Sequence, residues 1–357
     1  MATFMAVGTT PAELGSRLLE HLRGHLGDRN LIYADEPRRL TKGMFAQVWQ
    51  FALSSGPAEW RDALVLRVYP SDADPSQVHV EAAVQNGLVV EGFPAPKVLL
   101  SEDSGEVLGC PFIVMEWIPG RPVLRGLRWD RFLRDLPELV RTWPSTVAQV
   151  AARLHNCPTG AVETEAAKRE VALTTIGWDR HLRLLEQRMS TRSLPGWAEG
   201  VCWLQTHQPP RPSAPVVVHG DLWATNILYQ DSELTGVVDW DRTTLGEPAL
   251  DIGFAKAGWA LMPAPTRVPP PVYQALRRVG RSVADRIESE YSAVGAVDPD
   301  RVRYYEGLRC ALELAAVVDR RSRPRATEAS HGWENGANAL ARYFEELTGT
   351  RLETQPS

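Results

Sequence analysis

His219-Gly220-Asp221-Leu222-Trp223-Ala224-Thr225-Asn226 follows the apolar run Val216-Val217-Val218, and Val237-Val238-Asp239-Trp240 comes soon after it. Four residues separate Asp221 from Asn226, and Asp239 lies thirteen positions beyond Asn226. Taken singly, Asp221 and Asp239 read as turn residues and Asn226 as a cap. Taken together, they bring three complementary groups into one short region. A carboxylate directly after a strand can accept a hydrogen bond from a hydroxyl and receive its proton. An amide oxygen and a second carboxylate are hard donors of the kind magnesium prefers. The segments Ile227–Tyr229 and Leu234–Val238 flank the turn Gln230–Glu233, which predicts a hairpin returning Asp239 towards Asn226.

Bulk properties narrow the setting. The 357 residues are enough for two domains or one two-lobed unit. Hydrophobic residues are 44% and charged residues 23%, a globular balance. The net charge of −5 is not the footprint of a nucleic-acid binder. Cys110, Cys157, Cys202 and Cys310 stand far apart, so they read as separate, mostly buried thiols in a reducing compartment. The start carries no positively charged leader, and no apolar stretch reaches the ~18 residues of a membrane span. The expectation is a cytoplasmic enzyme with neither a nucleic-acid nor a membrane partner.

Outward from the motif, the two halves differ. Thr10-Pro11-Ala12-Glu13 carries a capping box, and Leu14, Leu18, Leu22 and Leu26 repeat every four residues before Gly27, which predicts a packing helix. Phe45–Leu53, Ala63–Tyr69 and Pro111–Ile118 are rich in β-formers, and Gln77–Val90, containing Glu81, reads as a helix. Residues ~30–117 therefore read as a small sheet carrying one helix. After Pro119-Gly120, helical patterns dominate to about Leu347, Pro263–Pro271 interrupts them as a candidate lid, and the tail from Thr350 is expected to fray.

Phosphoryl transfer suits the motif, because it needs an oriented nucleophile and neutralised phosphate charge more than covalent help. Protein kinases carry H-R-D-x-x-x-x-N in the catalytic loop and a later magnesium-binding Asp. Here the Asp-to-Asn spacing is the same and Gly220 stands in place of the Arg. His219–Asn226, Val238-Asp239-Trp240 and Gly246-Glu247-Pro248-Ala249-Leu250-Asp251 together resemble the aminoglycoside phosphotransferase family, which includes choline-kinase-like enzymes. The resemblance implies an α+β, two-lobed, protein-kinase-like fold: a small antiparallel N-terminal sheet with one main helix, and a larger, mostly helical C-terminal lobe. On that basis residues 1–117 would form the nucleotide-binding lobe with its leading helix, 118–349 the catalytic and substrate lobe, and 350–357 a tail.

The same resemblance implies Asp221 as catalytic base, and Asn226 and Asp239 as Mg2+ ligands. Arg67, in Ala63–Val68, stands where protein kinases present a lysine to the phosphates of ATP or GTP. Arg is not a neutral exchange for Lys, but it can pair with phosphate oxygens bidentately. Glu81, fourteen residues later, would be its ion-pair partner. Gly43, the one glycine of Thr41–Gln47, would lie over the phosphates, and the main chains of Glu116 and Ile118 would meet the purine. His219 reads as a residue that holds the loop by a hydrogen bond, and Asp251 as a brace near a helix start. Trp178, Asp179, Trp259, Tyr304, Glu306 and Glu313 are candidate rim residues of the acceptor pocket; acids there would suit a cationic aminoglycoside and tryptophans a choline-like cation.

The expectation is thus a kinase acting on a small hydroxylated substrate, with a nucleotide triphosphate as donor. A nucleotide-binding pseudoenzyme acting through protein partners is the competing reading, motivated by Arg67 and the glycine-poor loop.

Overall fold

Thr10 Oγ1 accepts the Glu13 N–H at 3.2 Å while the Glu13 carboxylate accepts the Thr10 N–H at 2.7 Å, so a reciprocal cap starts the first helix. The computed structural model describes residues 10–41, 46–124, 129–190, 195–261, 270–321 and 336–353. In chain order the elements are α1 (Pro11–Leu26), β1 (Tyr33–Thr41), β2 (Gln47–Leu53), β3 (Leu64–Val68), α2 (Gln77–Val90), β4 (Val98–Glu102), β5 (Phe112–Glu116), β6 (Arg121–Pro122), α3 (Trp129–His155) and α4 (Gly160–Lys168). There follow α5 (Arg180–Ser190), α6 (Ala198–Thr206), β7 (Val216–Val218), β8 (Ile227–Gln230), β9 (Glu233–Val237), β10 (Thr244–Gly246), α7 (Pro248–Leu261), α8 (Pro270–Ser292), α9 (Pro299–Arg321) and α10 (Ala337–Thr348). Two compact units divide them.

The first unit comprises Met1–Gly120, Gly160–Leu173 and Leu228–Asp241. Its sheet runs β1-β2-β3-β5-β4 with antiparallel pairing throughout. The three runs rich in β-formers supply β2, β3 and β5. The two edge strands have no such signal: Tyr33–Thr41 carries Pro37 and four charged residues, and Val98–Glu102 is short. Edge strands are under no pressure to alternate apolar and polar residues, and charges and proline protect them from further pairing.

Leu14, Leu18 and Leu22 of α1 pack on one face of the sheet with Phe51, Leu64, Leu66, Val68 and Phe112. Val78 and Ala82 of α2 cover the other face, with Val65, Tyr69 and Ile113. Burying each large apolar side chain contributes roughly 1.5–3 kcal/mol. β3 is therefore covered on both faces, and alternation puts Arg67 on the α2 face with Val65 and Tyr69. Between β8 and β9 both Asp231 and Ser232 have positive φ, 50° and 69°, the geometry of a tight two-residue hairpin turn.

The second unit comprises Arg121–Thr159, Thr174–Ile227 and Arg242–Ser357. α7 is apolar around almost its whole circumference and is buried accordingly, packing against α8 and α9. β7 pairs antiparallel with β10, matching Val218 to Thr244. The tail does not fray at Thr350: Leu352 is buried against Gly200, and Trp197 Nε1 donates to the Glu353 carbonyl at 2.9 Å. Cys110 and Cys310 are buried, but Cys202 is exposed. Of the candidate lid, Pro270 and Pro271 open α8, and residues 263–269 lie outside the described residues. Among the described residues no helix is long and apolar enough to cross a membrane.

Gly87 is where α2 meets α4: a Cβ there would sit 2.5 Å from Val162 Cα. Gly87→Ala is expected to force the two helices apart at a cost of about 1–3 kcal/mol. Urea unfolding should show a lower midpoint at unchanged slope. An unchanged midpoint would mean the helices do not press together at this point.

Candidate active site

In the second unit, the segment leaving β7 is held by one buried carboxylate. Asp251 Oδ2 accepts the His219 N–H at 3.0 Å, and Oδ1 accepts the Gly220 N–H at 2.7 Å. His155 Nε2 reaches the same Oδ2 at 3.1 Å, and its Nδ1 lies 2.8 Å from the Tyr291 hydroxyl. With the proton on Nε2 and Tyr291 donating to Nδ1, every donor in this buried chain meets an acceptor. Gly220 has φ 76°, and a Cβ there would overlap the Arg242 carbonyl, so neither the turn nor the close approach admits a side chain.

His219 is buried, and its Nδ1 accepts the Asp221 N–H at 3.1 Å. The Asp221 carbonyl accepts the Trp223 N–H at 2.7 Å, and the Asn226 N–H donates to the Trp223 carbonyl at 2.8 Å, so the loop closes on itself. The Trp223 ring packs against Trp143 and Trp259 beneath.

These bonds fix the Asp221 carboxylate. Arg309 donates to Oδ1 at 2.9 Å, and Asn226 Nδ2 lies 3.0 Å from the Asp221 carbonyl and 3.4 Å from Oδ2. Arg309 in turn pairs with Glu313 at 3.2 Å and lies over the Phe254 ring at 5.2 Å. Arg242 pairs with Glu313 at 3.0 Å. Burial pushes the Glu313 carboxyl up, but Arg309 and then Arg242 outweigh it and hold the group below its usual range.

In the first unit, Arg67, Glu81 and Asp239 come together. Arg67 lies 2.7 Å from Asp239 and 3.9 Å from both Glu81 and Asp241, over the Tyr69 ring at 5.4 Å. The expected Arg67–Glu81 pair is present but long; the shorter partner is Asp239. Burial pushes the Glu81 carboxyl up against the pull of Arg67. Gln77 Nε2 ties α2 to this segment by donating to the Asp241 carbonyl at 3.0 Å. Asp239 itself has φ 73°, a left-handed conformation uncommon outside glycine, and its side chain is 41% exposed.

Glu116 ends β5, where its N–H donates to the Lys97 carbonyl at 2.9 Å. Ile118 follows it and packs against Gly236, where a Cβ would stand 2.6 Å from Ile118 Cγ2. Gly43 lies outside the described residues.

Several rim assignments need correction. Trp259 and Tyr304 are buried. Glu306 pairs with Lys256 at 3.0 Å and accepts the Tyr343 hydroxyl, and Glu313 is held by two arginines. Asp179 pairs with Arg183, one helical turn away. Buried charges need partners, so Glu306 and Glu313 balance internal cations rather than facing a ligand, whereas Asp179 forms a part-exposed pair. The residues that sequence reasoning misses are Arg309, Arg242 and His155. The i,i+4 spacing of Arg309 and Glu313, and the place of Arg242 three positions after Asp239, are the available signals. His155 has none, since its partner is 96 residues away.

The donor chemistry suits magnesium. Asn226 Nδ2 faces Asp221, which turns Oδ1 the other way, where Thr225 Oγ1 donates to it at 3.1 Å. Asp239 offers a part-exposed carboxylate. Both are hard oxygen donors. A cavity of about 540 Å³ is lined by Arg342, Glu345 and Glu353 among others, and its lining includes neither Asp221 nor Asn226.

The Glu313 pairs also set a pH dependence. A carboxylate whose folded pKa is depressed contributes stability fully above its unfolded pKa, ~4.3, and loses it as pH falls through the lower folded value. Glu313→Gln should cost about 1–3 kcal/mol at pH 7, because it leaves two part-buried guanidinium groups short of a partner. It should also flatten the loss of stability below pH ~4. An acid limb as steep as wild type in pH-dependent unfolding would refute the assignment.

The family described as the phosphotransferase enzyme family matches residues 15–288. Among solved structures, a putative aminoglycoside phosphotransferase from Ralstonia eutropha aligns with TM-score 0.59 at 19% identity, covering 94% of this chain and 98% of that one. A thermostable mutant of aminoglycoside phosphotransferase APH(4)-Ia, in ternary complex with ADP and hygromycin B, aligns with TM-score 0.55 at 15% identity, covering 91% and 98%. At such identities the likeness shows the fold, which is the kinase-like one. Among curated proteins, acyl-CoA dehydrogenase family member 10 of Mus musculus is 30% identical over 205 residues, 54% of this chain and 18% of that protein. The chain thus spans about a fifth of the length of the curated relatives it matches. With three quarters of its length inside the family match, and with the fold to accompany it, the chain belongs to the phosphotransferase enzyme family.

Proposed function

We propose that this protein is a magnesium-dependent O-phosphotransferase that moves the γ-phosphate of ATP or GTP to a hydroxyl of a small metabolite or antibiotic. The observation that carries the reading is the fixed Asp221 carboxylate, one oxygen on Arg309, at the head of a loop clamped by Asp251. With Oδ1 on Arg309 and only a long 3.4 Å contact from Asn226 at Oδ2, the carboxylate presents Oδ2 in a set direction, as a base must. The acceptor hydroxyl would donate to Asp221 while its oxygen attacks the γ-phosphorus. The bond from that phosphorus to the β-phosphate oxygen breaks, the nucleoside diphosphate leaves, and the hydroxyl proton passes to Asp221.

Asn226 and Asp239 are the residues that would hold magnesium, whose chemistry here is to neutralise phosphate charge. Arg67 would pair with phosphate oxygens, with Glu81 behind it as an internal counter-charge. Glu116 and Ile118 would meet the purine through the main chain. The ADP and hygromycin B in a structural relative support a nucleotide donor and a small hydroxylated acceptor. The acyl-CoA dehydrogenase names belong to relatives of which this chain matches about a fifth, so dehydrogenation is not carried over.

Asp221→Ala is expected to lower turnover by ~10²–10⁴-fold while nucleotide binding is kept. Near-normal turnover would remove Asp221 from the base role. Nucleotide binding by the intact protein, with no turnover across a broad acceptor panel, would favour a pseudoenzyme instead. Asp251→Asn replaces an acceptor of two N–H groups by a side chain that can accept only through one oxygen. It should cost about 1–3 kcal/mol in stability and also lower turnover, although Asp251 touches no substrate. If stability falls and turnover per folded molecule does not, the clamp is purely structural.

A further inference from the structure

Arg309 meets two carboxylates through one nitrogen. Its Nη2 donates to Asp221 Oδ1 at 2.9 Å and lies 3.2 Å from Glu313 Oε1. Its Nη1 reaches the Gly220 carbonyl at 3.4 Å. Arg309 and Glu313 sit one turn apart on α9, and Arg242 Nη1 donates to the same Glu313 oxygen at 3.0 Å. Burial pushes the Glu313 carboxyl up, but Arg309 and then Arg242 outweigh it, so it stays charged. All of these groups belong to the second unit.

A guanidinium free to choose takes a carboxylate with two parallel N–H bonds, one to each oxygen. At Asp221 that arrangement would engage both oxygens. A hydroxyl could then donate to the carboxylate only after a charge-assisted bond had broken. The observed contacts avoid this. Nη2 is divided between Asp221 and Glu313, Nη1 is turned to the backbone, and Asp221 Oδ2 keeps only the long 3.4 Å contact from Asn226. The Phe254 ring lies 5.2 Å from the guanidinium carbon but has no acceptor that would anchor either nitrogen. Among the described residues, Glu313 is the only acidic partner of Arg309 besides Asp221. Glu313 is thus the group that stops the fork from turning onto both oxygens.

We propose that Glu313 is a positioning residue of the transfer: by sharing Arg309 it keeps the guanidinium on a single oxygen of Asp221 and leaves the other to receive the acceptor's proton. This role rests on the phosphotransferase reading and deepens it. Glu313, expected on the acceptor rim, instead stands one step behind the base and touches no substrate. Arg242 completes the relay by holding the Glu313 oxygen that Arg309 uses.

The test uses the whole protein with magnesium, ATP or GTP, and water as the acceptor, which would donate its proton to Asp221 in place of the hydroxyl. Phosphate release is read per folded molecule. Glu313→Met removes the acceptor and should lower kcat by about tenfold or more, the cost of first breaking one charge-assisted bond, with little change in the KM for nucleotide. Glu313→Gln keeps an oxygen without the charge and should lose less. Arg309→Met added to Glu313→Met removes the fork, so the double variant should turn over faster than Glu313→Met alone. A carboxylate that only supports the fold predicts the reverse, because the second loss would add to the first. In a crystal structure of Glu313→Met, Arg309 should meet both Asp221 oxygens.

An unchanged kcat in Glu313→Met, a double variant no faster than the single one, or Arg309 still on one Asp221 oxygen would each overturn the role. If Glu313→Met does not fold, Glu313→Gln with and without Arg309→Met makes the same comparison. Asp221→Ala is the separate control. Wild-type phosphate release that is lost in Asp221→Ala keeps the phosphotransferase reading, whatever the Glu313 variants do. Release that is missing from wild type, or that survives in Asp221→Ala, removes the reading and this role with it.

Discussion

A single buried carboxylate organises the reactive loop. Asp251 is fully buried, yet it carries two backbone N–H bonds and an imidazole, so its charge is met on every side. Left unmet, a buried charge would be very costly. The loop must therefore fold so that His219 and Gly220 point their N–H groups at it. Gly220 then takes a positive φ and comes against the Arg242 carbonyl, and the His219 imidazole takes the Asp221 N–H. The position of the Asp221 carboxylate follows from these contacts. Because α7 carries Asp251 and is itself buried nearly all round, the clamp is anchored in an enclosed helix.

The first unit solves a different problem. β3 is covered by helices on both faces, so a cation at position 67 must be buried. Glu81 on α2 and Asp239 after the β8–β9 hairpin make that tolerable. Asp239 has the shorter contact and a left-handed backbone. A strained backbone at Asp239 thus meets a buried cation at Arg67, and such strain characterises functional positions more often than packing ones.

Much of this is legible in the chain. The Asp221–Asn226 spacing, the helix carrying Glu81 and the hairpin before Asp239 all rest on local rules: β-forming runs, turn residues and helical periodicity. The acceptor side is not legible. The seven-residue spacing of Glu306 and Glu313 puts them on one helix face without saying what that face meets. The face is internal, and its acids balance Lys256, Arg242 and Arg309. The edge strands β1 and β4 escape detection for a related reason, because exposed edges leave no hydrophobic pattern to read.

Local order along the chain was enough to specify the small antiparallel sheet with its helix, the helical remainder, and the residue types available for phosphate chemistry, because these follow from neighbours a few positions apart. Which charges neutralise one another was settled only by the folded arrangement. His155 meets Asp251 across 96 residues and Arg309 meets Asp221 across 88. Charge pairing depends on distance in space, and folding alone brings such distant residues within hydrogen-bonding range.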